Sequence, residues 1–250
     1  MCLRFSLIVL LDVIASIVLV GCSANGLVVP PQAPVSEIAL QPDLHALYLD
    51  LAAAGGSVFR LDPETSVIRI YVFRGGRAPW FGHNHVLSAP RFTGYVYLPR
   101  AGSTDARFDL EFRLDELELD RPEVRLPMGE AFATELTSSD IERTRAHMLG
   151  DENLQAQRYP FVRVHSLQIV GEAPKFATRV RFELHGQQRE MWLPLHVEGM
   201  PKQLLVSGSL VLRQTDFGIQ PYSALGGSLA VQDEVLVEFR LSGTQIQRSP

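Results

Sequence analysis

Nine residues near the middle of the chain constrain its fold most. From Ala106 to Leu114, Ala106, Phe108, Leu110, Phe112 and Leu114 alternate with Arg107, Asp109, Glu111 and Arg113. Successive side chains of an extended strand leave on opposite sides, so this segment has one dry face and one wet face. The same alternation recurs at Phe176–Leu184, Arg189–Val197, Leu204–Leu212 and Val235–Leu241. Strands with one apolar face need a second sheet, or closure of their own sheet, to bury it. One helical insert aside, strand follows strand, and nothing in the pattern suggests the repeated βαβ crossovers of a parallel sheet. The expected class is all-β and antiparallel. The alternation is equally compatible with a barrel and with a sandwich.

Composition narrows the function rather than the fold. With 250 residues, 46% of them apolar and 20% charged, the chain can bury a core of useful size. A net charge of -5 argues against a protein that tracks nucleic-acid phosphates. The only cysteines are Cys2 and Cys22, which excludes a disulfide framework, a cysteine zinc site and a cysteine nucleophile in the body of the chain.

The N-terminus reads as an address. Arg4 precedes an apolar run from Phe5 to Val20, broken by Asp12, and Leu19-Val20-Gly21-Cys22 follows. Small residues ahead of a cut site mark a secretory signal, and the Leu-x-Gly-Cys ending resembles the lipobox of bacterial lipoproteins. The expectation is a signal peptide over 1–21 and a mature chain lipidated on Cys22. Such a chain is held on a membrane by its acyl groups. Ser23 after the cysteine resembles the pattern of lipoproteins placed in the periplasm and anchored to the outer membrane. The alternative, an uncleaved span, would bury Asp12 in the bilayer. Residues 22–56 are expected as a lipidated tether and a short helix. The Pro- and Ala-rich stretch 23–36 is extended, and a helix over Pro42–Ala54 ends at Gly55-Gly56. His45 falls there as a surface residue. The folded domain occupies 57–250.

Within that domain, Asp62-Pro63-Glu64 reads as a turn between two strand patterns. Ser139 and Glu142 have capping-box spacing, which opens a helical insert that Gly150 ends. His185-Gly186-Gln187 marks a hairpin turn, in which His185 is structural. Asp216 and Gly218 mark another turn, with the Asp216 carboxylate bonded to nearby amides. Asp115, Glu116, Glu118 and Asp120 read as a wet strand face rather than a general acid and base. There is no Gly-x-Ser-x-Gly elbow and no nucleotide-binding glycine loop, and no enzymatic activity is expected.

Several words then combine in order: Gly82-His83-Asn84-His85-Val86, Phe92-Thr93-Gly94, Tyr159-Pro160-Phe161-Val162, Leu184-His185-Gly186 and Asp216-Phe217-Gly218-Ile219. Over about residues 57–245 the chain resembles the YceI-like family, whose members are lipocalin-like. The Gly-His-Asn-His-Val word resembles one branch of it. The resemblance implies a single antiparallel eight-stranded barrel, with one helical insert closing an end. It implies an elongated apolar pocket for a polyisoprenoid or similar amphiphilic lipid, and no cofactor. It implies a homodimer through the barrel wall in some members, which nothing in this sequence requires. The chain departs from the family pattern at Gln214-Thr215, and at Glu142–Met148 where the family has an Arg-Asp-x-His-Leu segment.

The expected ligand-lining residues are Phe92, Phe108, Leu110, Phe112, Phe182, Trp192 and Phe239, with His83 and His85 near the mouth. Two readings of the aromatic set stand together, a filled core and a lined cavity. His83 and His85 share a face if the segment is extended, and form half of a metal site if His147, His165, His185 or His196 joins them. The other reading of the pair is hydrogen bonding at the barrel rim. Arg69, Arg74, Arg77 and Arg91 are either headgroup partners or a solvated face. The functional expectation is a membrane-tethered lipid-binding barrel. The alternatives are a metal-binding envelope protein and an envelope interaction module without ligand.

Overall fold

A computed structural model describes residues 43–100, 105–200 and 203–246. The expected signal peptide, Cys22 and the extended stretch lie outside them. Helix α1 (Leu44–Ala54) opens the described chain, with Asp43 as its N-cap, accepting from the His45 amide at 2.9 Å. Strands β1 (Ser57–Leu61), β2 (Val67–Gly75), β3 (His85–Ser88), β4 (Thr93–Leu98), β5 (Arg107–Arg113) and β6 (Glu118–Leu119) follow. A single-turn α2 (Pro122–Arg125) and helix α3 (Ser138–Leu149) come next. The remaining strands are β7 (Phe161–Glu172), β8 (Lys175–Leu184), β9 (Gln187–Glu198), β10 (Gln203–Arg213), β11 (Ser223–Ala224) and β12 (Leu229–Gln245).

The registers show that the first six strands are three long ones, each bent once. Both β1 and β2 run antiparallel to β12, with Phe59 opposite Gln245 and Val67 opposite Arg240. In turn β4 pairs with β1 and β3 with β2, then β5 pairs with β4 and β6 with β3. The bends fall at Asp62–Ser66, Ala89–Phe92 and Leu114–Leu117. Two of them are 3-10 turns, Pro63–Thr65 and Leu114–Glu116. With each bent pair taken as one, eight antiparallel strands follow one another round a wall, and the β1–β12 ladder closes it. The structure thus decides for the barrel over the sandwich. Closure pairs most of the main wall, with the shortest ladder between β9 and β10, where only Leu195–Glu198 meet Leu205–Gly208.

Parity sets which side chains face in. On β8, Phe176, Thr178, Val180, Phe182 and Leu184 face the interior, and Arg179, Arg181 and Glu183 face out. On the outer wall Arg163 bridges three strands, reaching Glu111 at 3.1 Å and Glu183 at 2.9 Å. The β8–β9 hairpin turns through His185 and Gly186, with φ of 53° and 68°. Both positive angles belong to a two-residue turn of the primed kind, which a glycine enters without strain. The His185 ring donates from Nδ1 to the Phe217 carbonyl at 3.0 Å, so it ties this turn to the Gln214–Phe217 turn after β10.

Local chemistry corrects several expectations. The capping box on α3 is Thr137 with Asp140, two residues earlier than Ser139 with Glu142. The Thr137 hydroxyl accepts from the Asp140 amide at 3.2 Å, and the Asp140 carboxylate accepts from the Thr137 amide at 3.1 Å. The turn at Gln214–Phe217 is held by Asp233 rather than Asp216. Asp233 accepts from the Thr215 amide at 2.8 Å and from its hydroxyl at 2.6 Å. Asp120 is not on a wet face. It is 1% exposed, because the 3-10 turn after β5 rotates the chain before β6.

Helix α1 packs outside the wall, on β1 and β4, through Tyr48, Val58 and Tyr95. His45 is tied down as well as exposed, with Nδ1 3.0 Å from the Tyr95 hydroxyl. Under α1 the Tyr48 hydroxyl donates to Asp109 at 2.6 Å, and His165 donates to the same carboxylate. Burial pushes the Asp109 carboxyl up, but the hydrogen bonds from His165 and Tyr48 outweigh it and hold it below the ordinary range. A depressed folded pKa contributes stability above the unfolded value and loses it as pH falls through the folded one. Unfolding free energy is therefore expected to fall below about pH 5, and Asp109→Asn to flatten that acid limb in denaturant titrations.

Candidate ligand cavity

The interior is not filled. A cavity of about 800 Å³ runs inside the barrel, near the upper end of the range for small-molecule pockets. Its wall is the inward parity of nearly every strand. Ile68, Ile70 and Val72 come from β2, Phe108, Leu110 and Phe112 from β5, and Val235, Val237, Phe239 and Leu241 from β12. The side chains leave room partly because β10 carries Gly208 opposite Phe239. A Cβ at Gly208 would lie 2.6 Å from the Cζ of Phe239, so that ring occupies space a side chain would otherwise fill.

Of the expected lining residues, Phe108, Leu110, Phe112, Phe182, Phe239, His83 and His85 are in the cavity wall. Trp192 is not. It stands opposite Arg179 on the outward parity of β9 and is 54% exposed. Phe92 also lies outside the wall. It sits in the bend between β3 and β4, packed against the main core. Arg69, Arg74, Arg77 and Arg91 do not line the cavity; the arginines that do are Arg143 and Arg213. Arg91 instead pairs with Glu116 at 3.4 Å.

One end of the cavity is polar. Helix α3 turns Asp140, Arg143, Thr144, His147 and Met148 toward it, positions that recur on one helical face. Arg145, on another face, donates to the Leu117 and Asp115 carbonyls and fixes the helix across the barrel end. His83, His85 and Tyr222 complete this end, with the His147 ring edge-on to Tyr222 at 4.6 Å.

The two histidines have different environments. His85 donates from Nδ1 to Asp120 at 2.6 Å, so Nε2 is the nitrogen left for the cavity. The other Asp120 oxygen accepts from the Val86 amide at 3.0 Å and from Arg125 at 2.6 Å. Burial pushes the Asp120 carboxyl up, and the bonds from His85, Val86 and Arg125 outweigh this and hold it low. Arg125 also donates to the carbonyls of Asn84, at 2.7 Å, and Thr134, at 3.2 Å. Asn84 accepts from the Arg74 amide at 2.9 Å and donates to the Ala131 carbonyl at 3.0 Å, which locks the His-Asn-His segment. His83 has a buried Nδ1 without a hydrogen-bond partner. Burial first, and then the neighbouring His85 and Arg125, lower its pKa and favour the neutral ring.

The ring centroids of His83 and His85 are 6.4 Å apart and nearly perpendicular. Among the described residues no group of three or more His, Cys, Asp or Glu side chains is arranged to hold a metal ion. Of the suggested third ligands only His147 shares the cavity. His165 is under α1, His185 is in the hairpin, and His196 pairs outside with Glu198 at 2.8 Å. Arg125 and the polar face of α3 are absent from the sequence expectations, and Asp120 figures there only as part of a wet strand face. The Thr137–Asp140 cap was the available signal for where α3 begins, and hence for which of its residues share a face.

The YceI-like domain matches residues 59–243, more than half of the chain. Among solved structures, BcnA of Burkholderia cenocepacia is similar with a TM-score of 0.55 at 14% sequence identity, over 74% of this chain and 99% of that one. The YCEI protein of Campylobacter jejuni gives a TM-score of 0.47 at 10% identity, over 65% of this chain and 85% of that one. No curated protein matches the sequence.

Proposed function

The chain belongs to the YceI-like family of polyisoprenoid-binding barrels, and from that premise we propose that it holds one isoprenoid or similar amphiphilic lipid in its barrel. The observation that carries the reading is the open interior: about 800 Å³ walled by aliphatic and aromatic side chains on the inward parity of the strands. Each buried CH₂ contributes about 0.8 kcal/mol, so a ten-carbon tail brings on the order of 8 kcal/mol before association and ordering costs. No polar chemistry along the tail is needed. The headgroup meets the polar end, where His83, His85, His147, Asp140 and Arg143 offer donors and acceptors. His85 is the fixed member, because Asp120 sets its tautomer and orientation.

The reading is of a carrier, not of a catalyst. It extends to location: the protein is held in the periplasm by lipid on Cys22, at the outer membrane, with the barrel on a tether. The Leu-x-Gly-Cys word and the Ser after it support this. Native mass spectrometry of the protein purified without detergent exchange tests the cavity reading. A co-purifying prenyl or long-chain lipid at one per barrel is expected. A barrel that is empty as purified, and stays empty after incubation with prenyl alcohols and fatty acids, contradicts it.

A further inference from the structure

At the polar end of the cavity, the rim carries large apolar side chains with nothing over them. Trp80 is 69% exposed, Phe81 72% and Leu225 80%. They belong to two loops that hydrogen-bond side by side. The Arg77 amide donates to the Gly227 carbonyl at 3.0 Å, the Ala78 amide to the Ser228 carbonyl at 2.9 Å, and the Arg77 guanidinium to the Gly226 carbonyl at 2.6 Å. Leu225 is held out at a backbone φ of 52°, ahead of Gly226 at 62° and Gly227 at 84°. A leucine in the left-handed region, pointing into water, costs both backbone and hydration free energy, and no packing within the barrel recovers it. The patch is continuous with the cavity, since Phe81 is also part of the cavity wall. The two loops themselves, residues 75–82 and 221–232, contain no carboxylate, and their one charge is Arg77; Arg74 precedes the first loop, and Asp233 and Glu234 follow the second.

We propose that this double loop is a membrane-docking surface, and that Trp80, Phe81 and Leu225 enter the interfacial region of a lipid bilayer with the cavity mouth facing it. Trp and Phe favour that region, where an apolar ring can bury itself while polar edges stay wet. Arg74 and Arg77 complement anionic headgroups, which a carboxylate would repel. Docking there lets a tail pass from bilayer to cavity without crossing water. The proposal rests on the reading of the barrel as a lipid carrier, and it adds the route by which the carrier is loaded and emptied.

The chain has two tryptophans, and they make the test. Trp192 lies on the outer wall and serves as the control. The full-length protein is mixed with vesicles of phosphatidylcholine and phosphatidylglycerol carrying brominated acyl chains. In Trp192→Phe the remaining Trp80 is expected to shift to the blue and to be quenched by bromine. In Trp80→Phe the remaining Trp192 is expected to be unaffected. Adding Leu225→Asn to Trp192→Phe is expected to weaken the quenching while the barrel stays folded, since Asn tolerates the left-handed backbone. Equal quenching of both tryptophans, or none at Trp80, overturns the proposal. So does a blue shift of Trp80 that grows with protein concentration without vesicles, which would mean that a second copy covers the patch. Lipid extracted from the same samples separates the two readings. A loaded barrel with an unquenched Trp80 removes the docking surface alone. A quenched Trp80 over an empty barrel removes the carrier reading and leaves docking standing.

Discussion

Asp120→Ala is expected to cost about 3–5 kcal/mol of unfolding free energy, read as a lower urea midpoint. The carboxylate is 1% exposed and takes hydrogen bonds from His85, Val86 and Arg125. Its loss would strand the Arg125 guanidinium, whose side chain is 7% exposed, without a counter-charge. The two carbonyls that Arg125 also reaches do not neutralise it. Asp120→Asn keeps the shape and suits the backbone φ of 53° at this position, so it is expected to cost less. Removing both charges with Asp120→Ala/Arg125→Met is expected to cost less than the sum of the single changes, because no buried charge is left unpaired. A loss under about 1 kcal/mol for Asp120→Ala would show that water reaches this pair and that His85 is not fixed by it.

Phe217→Ala is expected to be of similar size, about 3–5 kcal/mol, in protein stripped of lipid. The ring is 1% exposed and meets Phe182 edge to face at 5.7 Å. Arg189 lies over it at 6.0 Å, and the Phe217 carbonyl receives the His185 bond that joins two turns. Removing the ring opens a void between the barrel end and these turns, which cannot all close in upon it. Phe217→Leu keeps much of the volume and is expected to lose less than half as much. Calorimetric midpoints of the three delipidated proteins check the order. Lipid must be absent, since a ligand bound only by the folded state would mask the difference.

These residues also show what was legible in the sequence. Strand parity was fully legible: Phe108, Leu110 and Phe112 face in, as the alternation with Arg107, Asp109, Glu111 and Arg113 requires. Trp192 shows the same rule applied against residue type. Met191, Leu193 and Leu195 take the inward parity, so Trp192 had to face out; aromatic character suggested otherwise, and parity decided. Phe92 was misplaced for a different reason, because it lies in a bend where parity is reset. Asp120 belongs to the same class of error. Acidic neighbours suggested a wet strand, but the Leu114–Glu116 turn rotates the chain and buries the one carboxylate that Arg125 and His85 can satisfy. The polar lid was least legible. Asp140, Arg143, Thr144 and His147 look like a solvated helix face, and only tertiary packing turns them onto an apolar cavity. Hydrogen bonds that link distant segments, such as the one Arg125 donates to the Asn84 carbonyl, leave no local signal at all.

The central claim is that the barrel interior receives an apolar tail in place of water. Titration calorimetry of delipidated protein with a prenyl alcohol, repeated across temperatures, tests it most directly. Burial of apolar surface gives a negative heat-capacity change on binding. The account predicts one site per barrel with a clearly negative value, diminished when Leu210→Trp narrows the cavity between β10 and β12. Binding with no heat-capacity change, or a signal that Leu210→Trp leaves untouched, would contradict it.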